Sequence, residues 1–212
     1  MRPSEGPPAE AAAAARRGAL IVFPTDTVYG IGTRPDDPAA TDRIFEAKGR
    51  PRDLALPVLV ATRESARRVA VFDERADRLT EALWPGPLTL VLPRGADAWG
   101  WDLGGDPATV GVRAPRHPLA LALLADTGPL AVTSANRSGE PPAGTCERLH
   151  EMFGSLVSVY LCQEEALEGA ASTVLDLAHG APRIIRTGAV LPEVLMEILP
   201  DEPPLLDSRP SS

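Results

Sequence analysis

The chain has 212 residues, of which 44% are hydrophobic, and its formal net charge is −8 at pH 7. This length suits one compact domain, and the acidic balance argues against a dedicated duplex nucleic-acid binder while leaving room for a local basic cleft. No apolar run is long enough to span a membrane, and the start lacks a signal-peptide pattern.

The two cysteines, Cys146 and Cys162, are too few for a disulfide framework or a cysteine-based zinc site. The three histidines, His117, His150 and His179, show no metal-ligand spacing among themselves. We therefore expect reduced thiols, in a cytoplasmic protein that holds no metal through its own side chains.

Predicted helices and short apolar strands alternate along the first half of the chain. Residues 1–8 contain Pro and Glu and are predicted to be disordered. The Ala-rich residues 9–17 favour a helix, and Asp37 followed by Pro38 marks the start of a second helix that reaches Lys48. The other predicted elements are strands at 19–23, 54–60 and 88–92 and helices at 63–69 and 75–84.

The second half is mostly predicted strand. Residues 94–107 are a loop with Trp99 and Trp101, for which half-packing on the body is favoured over a flap that caps a pocket. Thr145 is predicted to cap a helix, and residues 200–212 are predicted to be disordered. The other predicted elements are strands at 109–113, 130–133, 156–161, 172–177 and 182–186 and helices at 119–125 and 191–199.

This alternation predicts a single α/β domain over residues 9–199, with a twisted, mostly buried mixed sheet flanked by short helices. Polar groups follow several of its strands, and ligands bind α/β sheets at such strand ends. Hydrogen-bonded turns that only satisfy local backbone remain the alternative. The residues concerned are Thr25, Thr27, Arg113, Ser134, Asn136 and Arg186.

Lys48 is the only lysine among 21 basic residues, so the other 20 are arginines. A lysine retained in such a chain marks a position that needs a compact ammonium rather than a planar guanidinium. Gly49 allows backbone to approach a ligand, and Pro51 discourages helix at Arg50. The stretch predicts a phosphate-binding helix end, with a solvated basic turn as the alternative.

Several cations with hydroxyl and amide groups suit a polyanion that has an organic part, such as a nucleotide. The sequence contains no Walker P-loop, no protein-kinase motif set and no strand-linked Gly-x-Gly-x-x-Gly fingerprint. Taken alone, the residues therefore predict a nucleotide- or phosphate-binding α/β protein.

Seven short blocks then follow one another in a characteristic order: 23–32 (FPTDTVYGIG), 47–51 (AKGRP), 84–89 (WPGPLT), 110–113 (VGVR), 133–139 (TSANRSG), 172–176 (STVLD) and 185–188 (IRTG). In this order they closely resemble the threonylcarbamoyl-AMP synthase family, also called the YrdC-like domain, in its short single-domain form. The resemblance covers roughly residues 10–190. It implies the YrdC-like fold with a concave ligand cleft.

The resemblance also implies a reaction. A nucleotidyltransferase of this family makes threonylcarbamoyl-AMP and pyrophosphate from L-threonine, bicarbonate or CO2, and ATP. Mg2+ would be the cofactor, held through the ATP phosphates. A partner transferase complex would then pass the threonylcarbamoyl group to an adenosine of tRNA in the cytoplasm, and no stable nucleic-acid or membrane binding is expected of the chain itself.

Carried over residue by residue, the resemblance implies two neighbouring sub-sites. The family's Lys-x-Arg and Ser-x-Asn signature gives the implied catalytic residues, which would also bind ATP. Arg113 suits the threonine carboxylate. The implied ATP-binding residues are Lys48, Arg50, Thr109, Ser134, Asn136 and Arg186, and the implied threonine-binding residues are Thr27, Arg113 and Ser172.

Three positions depart from the family pattern. Many members have Lys or Asn where this chain has Leu54, some have His in place of Leu59, and some have Ser in place of Pro142. Three alternatives stay open: an RNA-binding module, a nucleotide-binding paralogue without turnover, and a carbamoyl-handling partner in hydrogenase maturation. The last resembles a much larger protein with more cysteines than this chain has.

Overall fold

The structure is a computed structural model that describes residues 7–167 and 169–203, together with the backbone pairing of residues 4–5 and 206–207. Its strands are β1 (Ser4–Glu5), β2 (Leu20–Phe23), β3 (Gly30–Thr33), β4 (Val58–Leu59), β5 (Leu88–Pro93), β6 (Thr109–Arg113), β7 (Leu130–Ser134), β8 (Val157–Tyr160), β9 (Thr173–Asp176), β10 (Arg183–Arg186) and β11 (Leu206–Asp207). Its helices are α1 (Pro8–Arg16), α2 (Pro38–Lys48), α3 (Arg63–Val69), α4 (Glu74–Leu83), α5 (Pro118–Thr127), α6 (Cys146–Phe153) and α7 (Pro192–Ile198).

The described strands form one mixed sheet in the order β1-β8-β2-β3-β7-β4-β6-β5-β9-β10-β11. Strands β2, β3, β7 and β4 pair antiparallel in turn, β4 and β6 pair parallel, and β5 pairs parallel with β9. The α/β fold with a mixed sheet that the sequence predicted is confirmed.

Helices cover both faces of the sheet, because its strands alternate their apolar side chains between two cores. In β2, Ile21 and Phe23 pack with α1 and α5, whereas Leu20 and Val22 pack with the larger core. That larger core also takes apolar residues from α2, α3, α4, α6 and α7.

Helix caps occur where the sequence signals placed them. Asp37 accepts a hydrogen bond from the Ala39 N–H at the start of α2, and Thr145 accepts one from Arg148 at the start of α6. Gly49 ends α2 in the left-handed conformation, with φ at 60°.

One strand was missed by the sequence prediction, and another was predicted too long. Strand β3 was missed inside a stretch expected to be a loop, because Gly30 and Gly32 have low strand propensity. A Cβ atom on either would come within 2.8 Å of Val132, so the close approach of β7 requires these glycines. The predicted strand 54–60 shrinks to Val58–Leu59.

The predicted disordered ends stay predictions. Residues 1–3, 6, 204–205 and 208–212 lie outside the described residues. Within the same segments, β1 pairs with β8 and β11 pairs with β10, in both cases parallel.

The loop at 94–107 packs by its middle and leaves one tryptophan in solvent. Ala98 and Leu103 are buried, whereas Trp99 is 76% exposed. Arg94 donates to the carbonyl of Trp101 and so holds the loop on the body. The prediction of a half-packed surface loop is confirmed.

The expectation of two free thiols is wrong. Cys146 and Cys162 are joined as a disulfide, with their Cα atoms 5.8 Å apart. Their separation of 16 residues gave no sign of proximity, which results from β8 returning the chain past the start of α6. In the described part of the chain, no helix is long and apolar enough to cross a membrane.

Candidate functional site

Lys48 is the last residue of α2 and lies almost wholly buried, with 3% of its surface exposed. Its ammonium donates to the carbonyl oxygen of Ser134 at 2.6 Å, to that of Asn136 at 2.5 Å, and to the Asn136 side-chain oxygen at 3.2 Å. An ammonium has three donors, so all three are directed at the last residue of β7 and the loop that follows it.

This loop is also bonded within itself. The Ser134 hydroxyl donates to Asn136 Oδ1 at 2.6 Å, and Asn136 Nδ2 donates to the carbonyl of Glu140 at 2.6 Å. Lys48 of the Lys-x-Arg motif thus forms one hydrogen-bonded unit with Ser134 and Asn136 of the Ser-x-Asn motif, although Lys48 and Ser134 are 86 residues apart in sequence.

Burial, together with the smaller effect of the positive charge of Arg50, lowers the pKa of Lys48 to about 7. Arg50 itself donates to the carbonyls of Leu54 and Ala55 at 2.9 and 3.0 Å. Burial is the main cause that lowers the pKa of Arg50, followed by the charge of Arg186.

Arg113 ends β6 and is enclosed by polar partners. Its guanidinium donates to Asp26 Oδ1 at 2.6 Å, to the Thr27 hydroxyl at 3.1 Å and to the Gly86 carbonyl at 2.9 Å. Burial lowers the pKa of Arg113, and Asp26 partly offsets this effect. Asp26 Oδ2 is buried without a hydrogen-bond partner among the described groups.

Ser172 lies just before β9 and connects two sides of the site. Its hydroxyl is 2.9 Å from that of Thr89 and accepts a hydrogen bond from Arg186 at 3.1 Å. Arg186 also donates to the Ser172 carbonyl at 2.8 Å, and its charge lowers the pKa of Arg113.

Four cations therefore lie close enough to affect one another's pKa. The charge of Arg50 lowers the pKa of Lys48, and the charge of Arg186 lowers the pKa of both Arg50 and Arg113. We call Lys48, Arg50, Arg113 and Arg186 the cation cluster. Within the described chain only Arg113 of these four forms an ion pair, with Asp26. The other three donate to neutral oxygens, whereas many arginines elsewhere are paired with carboxylates.

The structure brings together eight of the nine implied site residues, and Thr109 stands apart. Thr109 begins β6 and Arg113 ends it, so their Cα atoms are about 13 Å apart at the usual strand rise. The carbonyl of Thr109 accepts a hydrogen bond from Arg94 at 2.9 Å. No hydrogen bond between described residues links it to the cation cluster, and its role in ATP binding stays a prediction.

The departures from the family pattern can now be placed. Leu59 is 5% exposed and packs in the core with α1 and α5, so its position is apolar for structural reasons. Leu54 is 46% exposed and contributes its backbone carbonyl to Arg50. A different side chain at Leu54 would leave that hydrogen bond in place. Pro142 is exposed.

Sequence reasoning missed the segment that covers the Thr27 side of the site, the described residues 163–167 and 169–171, which we call the covering segment. A Cβ atom at Gly169 would lie 2.2 Å from the Thr27 carbonyl, so only glycine allows this approach. The Gln163 N–H donates to the Tyr29 hydroxyl at 3.1 Å. The only sequence signal was the isolated Gly169.

A cavity of about 320 Å3 lies elsewhere, lined in part by Arg16, Arg34, Asp36 and Trp101. Arg16 pairs with Asp126 and Arg34 with Asp36. These two cations of the cavity are thus already paired with carboxylates, unlike Lys48, Arg50 and Arg186 within the described chain.

The donor set at the cluster fits Mg2+ only as an ion carried by a ligand. Mg2+ takes oxygen ligands and is often held through substrate phosphates. The carboxylate in direct contact with the described cluster residues, Asp26, is already paired with Arg113. We assign no magnesium ligand to the protein.

The chain is thus an α/β protein in which strand ends and a helix end bring four cations together, and only Arg113 among them forms an ion pair with another described residue. The Sua5/YciO/YrdC family model, described as "Telomere recombination", matches residues 13–188. The chain belongs to this family.

Two bacterial relatives are clearly similar in sequence, and one of them is also of similar length. A Mycobacterium leprae protein provisionally named threonylcarbamoyl-AMP synthase is 43% identical over 192 residues, covering 90% of this chain and 87% of that protein. The threonylcarbamoyl-AMP synthase of Bacillus subtilis is 37% identical, covering 90% of this chain and 56% of that protein.

Among solved structures, Pyrococcus abyssi Sua5 complexed with L-threonine superimposes with a TM-score of 0.87 at 37% identity. The match covers 94% of this chain and 58% of that chain. This chain thus spans little more than half the length of the archaeal protein.

Proposed function

We propose that the chain is an L-threonylcarbamoyladenylate synthase, a nucleotidyltransferase. The reaction joins L-threonine, bicarbonate and ATP to give threonylcarbamoyl-AMP, pyrophosphate and water. The observation that carries the proposal is the cation cluster, in which Lys48, Arg50 and Arg186 form no close ion pair with any described carboxylate. Cations that face neutral oxygens in an acidic protein favour an anionic ligand.

The ATP phosphates would bind at Arg50 and Arg186, beside the loop that Lys48 holds. Arginine suits phosphate because its planar fork donates two parallel hydrogen bonds. Ser134 and Asn136 would supply polar contacts from that loop, whose shape depends on the Lys48 bonds. Thr109 remains part of the predicted ATP set.

Threonine would bind at the Thr27, Arg113 and Ser172 side. Arg113 is fixed by Asp26 and Gly86, which leaves it oriented for a carboxylate. Asp26 Oδ2, buried and without a hydrogen-bond partner among the described residues, is suited to accept a hydrogen bond from the threonine amine. The similarity to Pyrococcus abyssi Sua5, whose structure is complexed with L-threonine, supports this proposal.

The chemistry requires two anions to meet. The threonine nitrogen adds to CO2 and loses a proton, which gives a carbamate, and a carbamate oxygen then attacks the α-phosphorus and expels pyrophosphate. The cation cluster would offset the repulsion between carbamate and triphosphate and stabilise the charge that leaves. Mg2+ arriving on the phosphates would neutralise further charge, and much of the remaining rate enhancement would come from positioning.

The product is a reactive mixed anhydride, so a transferase must consume it. We propose that a threonylcarbamoyl transferase complex in the cytoplasm passes the group to tRNA. An RNA-binding role or a paralogue without turnover gains no specific support from the site.

Pyrophosphate release from ATP tests the proposal. Purified chain with Mg2+ should release pyrophosphate only when L-threonine and bicarbonate are both present. Release that ignores either co-substrate, or no release while ATP still binds, would contradict the assignment.

A further inference from the structure

The disulfide between Cys146 and Cys162 lies at the base of two loops that border the site. Cys146 is the first residue of α6 and follows the loop that Lys48 holds. Cys162 follows β8 and immediately precedes the covering segment. The bond therefore connects the end of the loop that Lys48 holds to the start of the covering segment.

The two loops also contact each other beyond the disulfide. The Leu167 N–H donates to the Gly144 carbonyl at 2.9 Å, and a Cβ atom at Gly144 would lie 2.9 Å from the Leu167 carbonyl. Gln163, directly after Cys162, donates to Tyr29. The covering segment is thus fixed at its start and middle while Gly169 rests on Thr27.

This arrangement encloses the proposed threonine sub-site. Thr27, Arg113 and Ser172 are 3%, 5% and 6% exposed. A free amino acid can reach these groups only if something moves, and the covering segment is the element that packs on Thr27.

We propose that Cys146 and Cys162 form a reversible disulfide that holds the covering segment closed, so that oxidation slows threonine entry and reduction permits it. The effect on threonine rests on the proposed function. The redox control of the segment itself does not.

The position of Cys146 suits thiol–disulfide exchange. A thiolate at the start of a helix is stabilised by the helix dipole, and His150, one turn along α6, lies within 4.8 Å of both sulfurs. The Cys146 thiolate attacks a small-molecule or protein disulfide and releases one thiol. The Cys162 thiolate then attacks the Cys146 sulfur and releases the second thiol, so two protein thiols and one external disulfide become one protein disulfide and two external thiols.

Amide hydrogen exchange on the whole wild-type chain tests the proposal without relying on catalysis. We expect deuterium uptake across residues 163–167 to be about tenfold faster or more after reduction, because local opening would no longer break a covalent constraint. Cys162→Ser should exchange like the reduced wild type and ignore added reductant. Equal exchange in both redox states would overturn the proposal.

Turnover gives the second readout. The oxidised chain should show kcat/KM for threonine about tenfold below that of the reduced chain, recovered on reduction, with KM for ATP little changed. If turnover and exchange are both insensitive to redox state, the proposed disulfide control of the covering segment is overturned and the synthase assignment stands. If exchange depends on redox state but neither state releases pyrophosphate, the disulfide control of the covering segment is supported and the proposed synthase function is rejected.

Metal binding is the alternative to a disulfide at this position, since Cys146, His150 and Cys162 could hold a metal ion in the reduced protein. His150→Ala separates the two, because a disulfide needs no imidazole. Under the proposal this variant keeps the redox response of residues 163–167. If Zn2+ added to the reduced wild type restores slow exchange, and His150→Ala abolishes both that effect and the redox response, the disulfide control of the covering segment is rejected.

Discussion

The ammonium of Lys48 and the side-chain oxygen of Asn136 lie 3.2 Å apart, and the same ammonium also binds the Asn136 carbonyl. The lysine expected to touch phosphate therefore holds the loop that would border the phosphates. The chain uses its only lysine where three donors must diverge from a point, which a planar guanidinium cannot do.

Replacing Lys48 should damage both activity and stability. Lys48→Met keeps most of the buried stem but leaves three oxygens without their donor, so we expect about 1–3 kcal/mol of lost unfolding free energy. Pyrophosphate release should fall about 100-fold or more. Lys48→Arg should be nearly as inactive, which the same assay and urea unfolding would check; a Lys48→Met protein with wild-type turnover would refute the role.

ATP binding should take up a proton. The pKa of Lys48 is lowered to about 7 in the free protein, so at pH 8 its charged form is the minority. A polyanion favours the charged form and raises this pKa, so the bound protein holds more protons than the free one. ATP affinity should consequently fall as pH rises above about 7.

Calorimetry in buffers of different ionisation enthalpy measures this uptake. The observed enthalpy of ATP binding at pH 8 should vary with buffer for the wild type and much less for Lys48→Met. A buffer-independent enthalpy in the wild type would contradict the linkage.

Arg113 and Asp26 form a buried pair, with side chains 7% and 9% exposed. Removing one partner leaves the other charge buried, so Arg113→Gln should cost about 3–5 kcal/mol. Adding Asp26→Asn should recover part of that stability without recovering threonine binding. Urea unfolding and threonine calorimetry on Arg113→Gln, Asp26→Asn and the double variant measure the coupling free energy between Arg113 and Asp26.

That double variant separates stability from recognition. Threonine affinity that returns together with stability would mean that Arg113 acts only through folding.

Arg50 and Arg186 donate to neutral oxygens and should act mainly on ATP. Arg50→Gln and Arg186→Gln should each weaken ATP binding about tenfold, because each removes a charge-assisted contact. Arg148→Gln, which alters an exposed pair with Glu151 on α6, is the matched control and should leave affinity unchanged. Equal effects from all three would indicate a general charge effect.

Sequence patterns predicted most elements because hydrophobic periodicity and capping residues act locally. Strand β6 and the capped start of α2 occur where they were predicted. The missed strand β3 depends on a long-range condition, the close packing of Val132 on Gly30 and Gly32, that no local propensity contains. The short β4 reflects Arg50 taking the carbonyls of Leu54 and Ala55.

The sequence predicted which residues form the site better than it predicted what each residue does there. Family motifs brought Lys48, Ser134 and Asn136 to one place, as the hydrogen bonds confirm. The direction of the Lys48 donors, the enclosure of Thr27 by Gly169 and the Cys146–Cys162 bond depend on tertiary packing. None of these has a periodic or spacing signal in the sequence.

The central claim is that one polycationic site joins a threonine carbamate to the α-phosphate of ATP. Its most direct test is mass spectrometry of the product formed from ATP, L-threonine and 13C-bicarbonate. The account predicts threonylcarbamoyl-AMP that carries the 13C label, formed by the wild type and absent with Lys48→Met. Unlabelled AMP or ADP as the only nucleotide product would contradict it.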